Sequence, residues 1–288
     1  MEQKDQLYRY YSKMMPIEAC DINLKDLKNL YDKLDEKKEI AIESEHKAID
    51  NFALPKEEKE KMKENVKEWI KVNIMVAGTK GERLASGSKE VFDKINFEIS
   101  SIRYDNYLVF EYNTKMRPKN YFEIALDFTK PKISDFSSNP GKKTPNESRI
   151  IVAGMDEVWT NGIYSIVKDY FKERSSLRQL INSSGIYDII LWLIVIPYGF
   201  IMLNKLINYL KGRLNIIDSV LFVFIGLYFM VSLILIWRVF FGFVRWLFPP
   251  LEYISEKRNK RLLLKGFVWI LFLGIVVHYF VKLISILF

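Results

Sequence analysis

The 288-residue chain is 49% hydrophobic and carries a formal net charge of +8 at pH 7. Its single cysteine, Cys20, excludes an intramolecular disulfide bond and a cluster of thiolate ligands, and its two histidines, His46 and His278, exclude a metal site built on several histidines. The composition therefore predicts neither a metal nor a cofactor.

The positive charge is concentrated in the C-terminal third of the chain. Residues 184–288 contain 11 lysine and arginine residues against 4 acidic residues, a net charge of +7, which leaves +1 for residues 1–183. The excess cations flank apolar segments, where lysine and arginine set membrane topology and meet anionic head groups. The chain is therefore not expected to bind nucleic acid, and its expected partner is a bilayer with anionic inner-leaflet lipids.

Residues 1–69 form a predicted helical N-terminal segment. Asn23 is a candidate N-cap for a helix that begins at Leu24, and Pro55 suits the first turn of a second helix. The two helices would make a hairpin. The alternative, which the sequence leaves open, is that the Glu- and Lys-rich residues 32–68 form a largely solvated helix.

Residues 70–183 form a predicted cytoplasmic domain with a small, mainly antiparallel sheet. Alternation of apolar and polar residues, or short apolar runs, predicts strands over residues 70–77, 97–104, 107–112, 121–128 and 149–153. A short helix is predicted over 88–95 and an amphipathic helix from Asp156 to about Glu173. The turn at 78–81 is interpreted as a hairpin turn, since it lacks the Gly-Lys-Ser/Thr ending of a phosphate-binding loop. The predicted fold class is an α+β domain, preceded by the helical hairpin and followed by a three-helix transmembrane region.

A long loop, Pro131–Ser148, separates the last two predicted strands. It carries two adjacent cations, Lys142 and Lys143, which are candidate ligand-binding residues for an acidic ligand, partner or lipid. Long loops inside small domains are either functional or flexible. A solvated, flexible loop is the alternative interpretation.

Residues 184–288 form the predicted transmembrane domain. Three apolar segments, at about 186–203, 216–236 and 266–288, are each long enough to cross a hydrocarbon core about 30 Å thick. The apolar pattern of the second continues to Phe248, where Pro249 and Pro250 stop it. The distribution of cations predicts a multi-pass protein of the cell inner or plasma membrane, with the N-terminal domain in the cytoplasm and the C-terminus outside.

Several charged residues of the membrane domain are candidate contacts for lipid or for neighbouring helices. Arg238 and Arg245 lie seven residues apart on one helix face and are predicted to reach lipid head groups. The same role is predicted for four cations of the next connector, Lys257, Arg258, Lys260 and Arg261. His278 and Lys282 share a face of the third span. They are interpreted as a neutral histidine bonded to a neighbouring helix and a snorkelling lysine, with a proton or ion pathway as the alternative.

The order of these segments predicts a membrane-anchored sensor or effector. The cytoplasmic domain would bind a ligand or protein partner and act through the membrane region. We expect the membrane region to be a homo-oligomer, because three spans are too few for a transporter built from repeats. No Gly-x-Ser-x-Gly motif or other acyl-transfer signature is present, so no catalytic residue is predicted. A membrane-surface enzyme acting on an anionic or lipid substrate and a small channel subunit are the alternatives.

Overall fold

The structure is a computed structural model, and the residues it describes are 9–134, 139–174, 178–213 and 219–254, together with 263, 266, 267 and 274. The chain divides into two compact units. Unit 1 comprises Met1–Thr129, Asn146–Ser176 and Pro250–Ser255, and unit 2 comprises Lys130–Pro145, Leu177–Pro249 and Glu256–Phe288.

Unit 1 is built on a six-stranded antiparallel sheet with the order β1-β7-β6-β5-β3-β4. A separate two-stranded sheet pairs β2 with β8 in parallel. The strands in the described part of the chain are β1 (Tyr11–Pro16), β2 (Cys20–Asn23), β3 (Asn73–Gly78), β4 (Arg83–Ser86), β5 (Ile99–Asp105), β6 (Asn120–Asp127), β7 (Arg149–Gly154) and β8 (Leu251–Ile254).

The core of unit 1 lies on one face of the large sheet. Ile74, Tyr104, Ile124 and Ile150 stand side by side on four neighbouring strands, and each is 0% exposed. The Tyr104 hydroxyl donates a hydrogen bond of 3.0 Å to the Leu27 carbonyl oxygen, so this buried polar group is satisfied.

The element order and the strand pairing confirm the predicted α+β class with an antiparallel sheet.

Two helices of unit 1, α1 and α5, begin at residues whose side chains accept hydrogen bonds from the first turn. Asn23 caps α1 in a reciprocal capping box with Asp26, as the sequence predicts for a cap at this position. Asp156 accepts a hydrogen bond of 3.0 Å from the Trp159 backbone N–H at the start of α5. The helices are α1 (Leu24–Asp35), α2 (Lys38–Asp50), α3 (Lys56–Trp69), α4 (Leu108–Thr114) and α5 (Glu157–Lys172), with a 3₁₀ helix over Lys89–Lys94.

Two interpretations of the sequence are wrong in unit 1. The segment 107–112 is not a strand: it lies mostly in α4, whose first turn is fixed by a 3.2 Å hydrogen bond from the Leu108 N–H to the Asp105 carboxylate. Residues 1–69 are not wholly helical, since β1 and β2 precede α1. Both strands lack a clear signal: β1 is mostly exposed, and β2 has only four residues.

Among its described residues, unit 2 contains two helices that are long and apolar enough to cross a membrane. They span Ile186–Gly212 and Val220–Leu247. In the most apolar 18-residue stretch of each helix, only 17% and 6% of the residues respectively are buried within the structure. The helical elements are α6 (Arg178–Asn182), α7 (Ile186–Ile190), a π-helical segment (Leu191–Val195), α8 (Ile196–Arg213) and α9 (Ser219–Leu247). Apart from residues 266, 267 and 274, the predicted third span 266–288 lies outside the described residues.

The two long helices pack through an aromatic cluster near the start of the first. The Tyr187 ring lies 5.3 Å from the Phe241 ring and 6.1 Å from the Trp237 ring, centroid to centroid. Tyr187, Leu191 and Phe241 are buried together. Aromatic pairs at such distances add to the energy of their burial, so this cluster stabilises the contact between α7 and α9.

Candidate functional site

The loop that precedes β7 belongs to unit 2, and backbone hydrogen bonds hold its second half. The Gly185 N–H donates to the Gly141 carbonyl oxygen at 2.8 Å, and the Thr144 N–H donates to the Asn182 carbonyl oxygen at 3.1 Å. These bonds join residues 139–145 to α6 and to the start of α7. The loop backbone therefore has fixed partners at two points.

A third attachment comes from the side chain of Arg245 in α9. Its Nη2 donates to the carbonyl oxygens of Lys142 at 3.0 Å and Ser183 at 3.4 Å, and its Nε donates to that of Ile181 at 3.4 Å. Arg245 is only 8% exposed, and its guanidinium lies 4.8 Å from the centre of the Phe241 ring. One buried cation thus connects the loop, the α6 region and α9.

The first half of the loop lies against α9 at a glycine. A Cβ atom on Gly242 would overlap the carbonyl oxygen of Ile133. Glycine permits this close approach of two backbones because it has no side chain. A larger residue at position 242 would push residues 130–134 away from the helix.

A cavity of about 290 Å³ lies between the loop and α9. The cationic side chains that line it are Lys130, Lys132, Arg238 and Arg245, and no acidic residue lines it among the described residues. Val239 and Phe241 add apolar surface. The cavity therefore combines positive charge with an apolar wall.

Thr144 lines the same cavity and carries a buried hydroxyl group. Thr144 is 3% exposed, and its Oγ1 has no hydrogen-bond partner among the described residues. Most buried hydroxyl groups in proteins are hydrogen-bonded, because leaving one unpaired costs free energy. The Thr144 hydroxyl is therefore an unpaired polar group that lies covered behind the cavity wall.

The structure brings some of the predicted site residues together and leaves others apart. Arg238 and Arg245 both line the cavity, with Arg238 half-buried. The side chains of Lys142 and Lys143 are exposed and do not line it. Lys257, Arg258, Lys260, Arg261, His278 and Lys282 lie outside the described residues. The predicted lipid and ligand roles of all these residues stay predictions.

Sequence reasoning missed Lys130, Lys132 and Thr144. Lys130 and Lys132 flank Pro131 just after β6, and the Lys130 ammonium lies 5.1 Å from the centre of the Trp246 ring. A Lys-Pro-Lys sequence at the start of a long loop is a signal that could have drawn attention to this end. Thr144 gives no signal in the sequence, since its importance comes from burial.

A second polar cluster lies on the face of the unit 1 sheet opposite the core. Glu123 receives hydrogen bonds from Arg103 and Arg149, each at 3.0 Å, and from the Tyr107 hydroxyl at 2.8 Å. Burial, together with the hydrogen bond to Glu123, raises the pKa of Tyr107 to about 12. These hydrogen bonds pair the Glu123 carboxylate with both arginines and with Tyr107, and Tyr107 keeps its proton at neutral pH. We interpret the cluster as a structural network.

Among the described residues, no group of three or more histidine, cysteine and acidic side chains is placed to hold a metal ion. Comparisons with protein-family models, with curated proteins and with solved structures found no match to this chain.

Proposed function

We propose that the protein is an integral membrane sensor or effector. Unit 1 faces the cytoplasm and binds a ligand or protein partner, and the membrane helices of unit 2 respond to that binding as part of a homo-oligomer. The observation that carries this proposal is the direct passage of the chain from α9 into β8, a strand of unit 1.

Membrane insertion is supported by the large apolar side chains that are exposed on the two long helices. Leu193, Tyr228 and Ile236 are 72%, 78% and 67% exposed, and they belong to the two long apolar helices. Large contiguous apolar surfaces on a protein mark contacts with a membrane or another protein. The excess of cations near the helix ends supports an orientation with unit 1 in the cytoplasm.

Coupling between the units is supported by the way β8 is anchored. α9 ends at Leu247, and after Pro249 and Pro250 the chain enters β8 at Leu251. Leu251 is 0% exposed, and the Cys20 N–H donates to the Pro250 carbonyl oxygen at 3.0 Å. Two prolines form a stiff connection because their φ angles are fixed. A change in the β2–β8 sheet is therefore expected to alter the end of α9.

The membrane part of the proposal is tested with full-length protein in cell membranes. After an alkaline carbonate wash the protein should remain in the membrane pellet, and protease added to inside-out vesicles should digest unit 1. Release into the supernatant, or digestion of unit 1 only in right-side-out vesicles, would contradict insertion or orientation respectively. In mild detergent we expect an oligomer, and a strictly monomeric protein would count against the proposed mode of action.

The coupling part is tested by amide hydrogen exchange on two core variants. Leu251→Ala removes the buried anchor of β8, and Val91→Ala makes a comparable cavity in the 3₁₀ helix of the same unit. We expect Leu251→Ala to raise exchange in residues 240–247 of α9 and Val91→Ala to leave it unchanged. Equal exchange in α9 for both variants would contradict coupling through β8.

A further inference from the structure

The cavity beside α9 has the electrostatics of an anion site. Four cations line it, and no acidic side chain does so among the described residues. The carboxylate of Asp188 lies against Gly141 on the loop backbone and attracts the Arg245 guanidinium, but Asp188 does not line the cavity. A concave surface of one sign of charge attracts ions of the opposite sign.

Thr144 adds an observation that is independent of charge. Its hydroxyl is buried at the cavity wall without a hydrogen-bond partner among the described residues. A small shift of the cavity wall would let a ligand oxygen accept a hydrogen bond from it and would remove the cost of leaving it unpaired. A hydroxyl beside arginine and lysine is a combination that suits an anion with several oxygen atoms.

The rigidity of the site favours binding in a fixed geometry. Arg245 is held by three backbone carbonyl groups, and the close contact at Gly242 fixes residues 130–134 against α9. Side chains that are already ordered lose little conformational entropy when a ligand binds. Arg245 contributes mainly its charge, since its Nε and Nη2 already donate to backbone carbonyl oxygens, and Lys130 and Lys132 add point charges that suit a phosphate.

We propose that this cavity binds a phosphate group, supplied either by the head group of an anionic phospholipid or by a soluble phosphate. The apolar wall formed by Val239 and Phe241 continues along α9, where an acyl chain would lie. Basic pockets beside transmembrane helices bind phosphorylated lipid head groups in this way. The lipid source rests on the proposed membrane function, whereas the phosphate site itself rests only on residues of unit 2.

The test uses full-length protein purified in a neutral detergent and three probes. The probes are short-chain phosphatidic acid, short-chain phosphatidylcholine and inorganic phosphate, and binding is measured by native mass spectrometry and by calorimetry. We expect phosphatidic acid to bind more tightly than phosphatidylcholine, whose head group is zwitterionic. Tighter binding of phosphatidic acid than of inorganic phosphate assigns the site to lipid, and the reverse order assigns it to a soluble phosphate.

Two lining variants and one control locate the binding. Thr144→Val removes the hydroxyl at nearly constant shape, and Lys132→Gln removes a charge from an exposed position that should not affect folding. Each should weaken binding of the preferred probe about tenfold, the effect of one charge-assisted hydrogen bond. Lys143→Gln changes an exposed loop cation outside the cavity and should leave binding unchanged.

The proposal is overturned if none of the probes binds, or if phosphatidylcholine binds as tightly as phosphatidic acid. It is also overturned if Lys143→Gln weakens binding as much as the two lining variants, since the effect would then be one of general surface charge. Failure of the membrane proposal is a separate result. The carbonate wash would then release the protein, but the protein would still bind inorganic phosphate through Thr144 and Lys132. The phosphate site would stand, and only the lipid source would be excluded.

Discussion

The Nη2 atom of Arg245 lies 3.0 Å from the carbonyl oxygen of Lys142 and donates a hydrogen bond to it. Arg245 lies near the end of an apolar helix, and Lys142, which belongs to the loop, precedes Arg245 by 103 residues in the sequence. The bond explains how the described residues 139–145 of the loop, which have no regular secondary structure, acquire a defined position. It also makes the loop sensitive to the identity of a single side chain.

Replacing Arg245 with lysine should release residues 139–145 while leaving the helix charge unchanged. Lysine cannot reproduce the three hydrogen bonds from Nε and Nη2. Loss of even one bond from a charged donor, worth roughly 1.5–3 kcal/mol, should raise local opening by about tenfold or more. The measurement is the rate of tryptic cleavage after Lys142 and Lys143. Arg238→Lys serves as the control, and equal cleavage rates in both variants would argue against this role of Arg245.

Replacing Gly242 with alanine should destabilise the loop contact. The new Cβ would meet the Ile133 carbonyl oxygen, and such overpacking typically costs about 1–3 kcal/mol. Gly226→Ala is a matched control in the same helix, because its Cβ would find only Leu203 Cδ2 at 3.5 Å. Alanine is the better helix former, so Gly226→Ala should be neutral or stabilising. The thermal midpoint in detergent and amide exchange over residues 130–134 distinguish the two, and a similar response in both variants would contradict the close approach.

The pairing of β2 with β8 can be tested with the one native cysteine. Cys20 and Leu251 are direct partners in the parallel register, and both are 0% exposed. Neighbouring strands lie about 4.8 Å apart, within the Cα separation that a disulfide bond allows. Mild oxidation of the Leu251→Cys variant should therefore link the two peptides, as detected by mass spectrometry. Tyr253→Cys, two residues out of register with Cys20, should not form the link.

Glu45 should make unit 1 less stable as the pH rises above the ordinary pKa of a glutamate. Burial raises the pKa of Glu45, although the Lys119 N–H donates a hydrogen bond to its carboxylate. The folded state therefore holds the Glu45 proton more tightly than the unfolded state does. Stability is full below the unfolded pKa, about 4.3, and falls as the pH rises through the higher folded pKa.

Glu45→Gln should remove this part of the pH dependence. Glutamine keeps an oxygen that can accept the Lys119 hydrogen bond and has no charge to bury. The variant should gain stability relative to the native protein on the alkaline side of the window and show a flatter profile of thermal midpoint against pH. Burial also raises the pKa of Asp105, so a residual slope of the same sign should remain. An unchanged slope would contradict the assignment to Glu45.

The parts of the fold that depend on local patterns could be predicted from the sequence. Alternating Phe122, Ile124 and Leu126 predict β6, and these residues are buried in the core. The caps at Asn23 and Asp156 and the stop before Pro249 follow from side-chain and backbone chemistry. The strand predicted over 107–112 is wrong because a run of aromatic and β-branched residues resembles a strand, while the Asp105 cap favours a helix.

The parts that depend on distant contacts could not be predicted. β2 and β8 each have four residues, and each exists because the other lies beside it. For the candidate site, the spacing of Arg238 and Arg245 placed two cations on one helix face, which the cavity lining agrees with. The path of the loop brings Lys130, Lys132 and Thr144 beside them. The spacing of apolar residues in the sequence does not predict that path.

The position of β8 has a consequence for how the protein is made. Its partner, β2, leaves the ribosome early, whereas β8 is synthesised only after both long apolar helices. During translation the edge of the Cys20–Asn23 segment that pairs with β8 stays unpaired until both helices have been synthesised. Completion of the small sheet is therefore a late event in biogenesis, and it ties the final assembly of unit 1 to the synthesis of the helices that we place in the membrane.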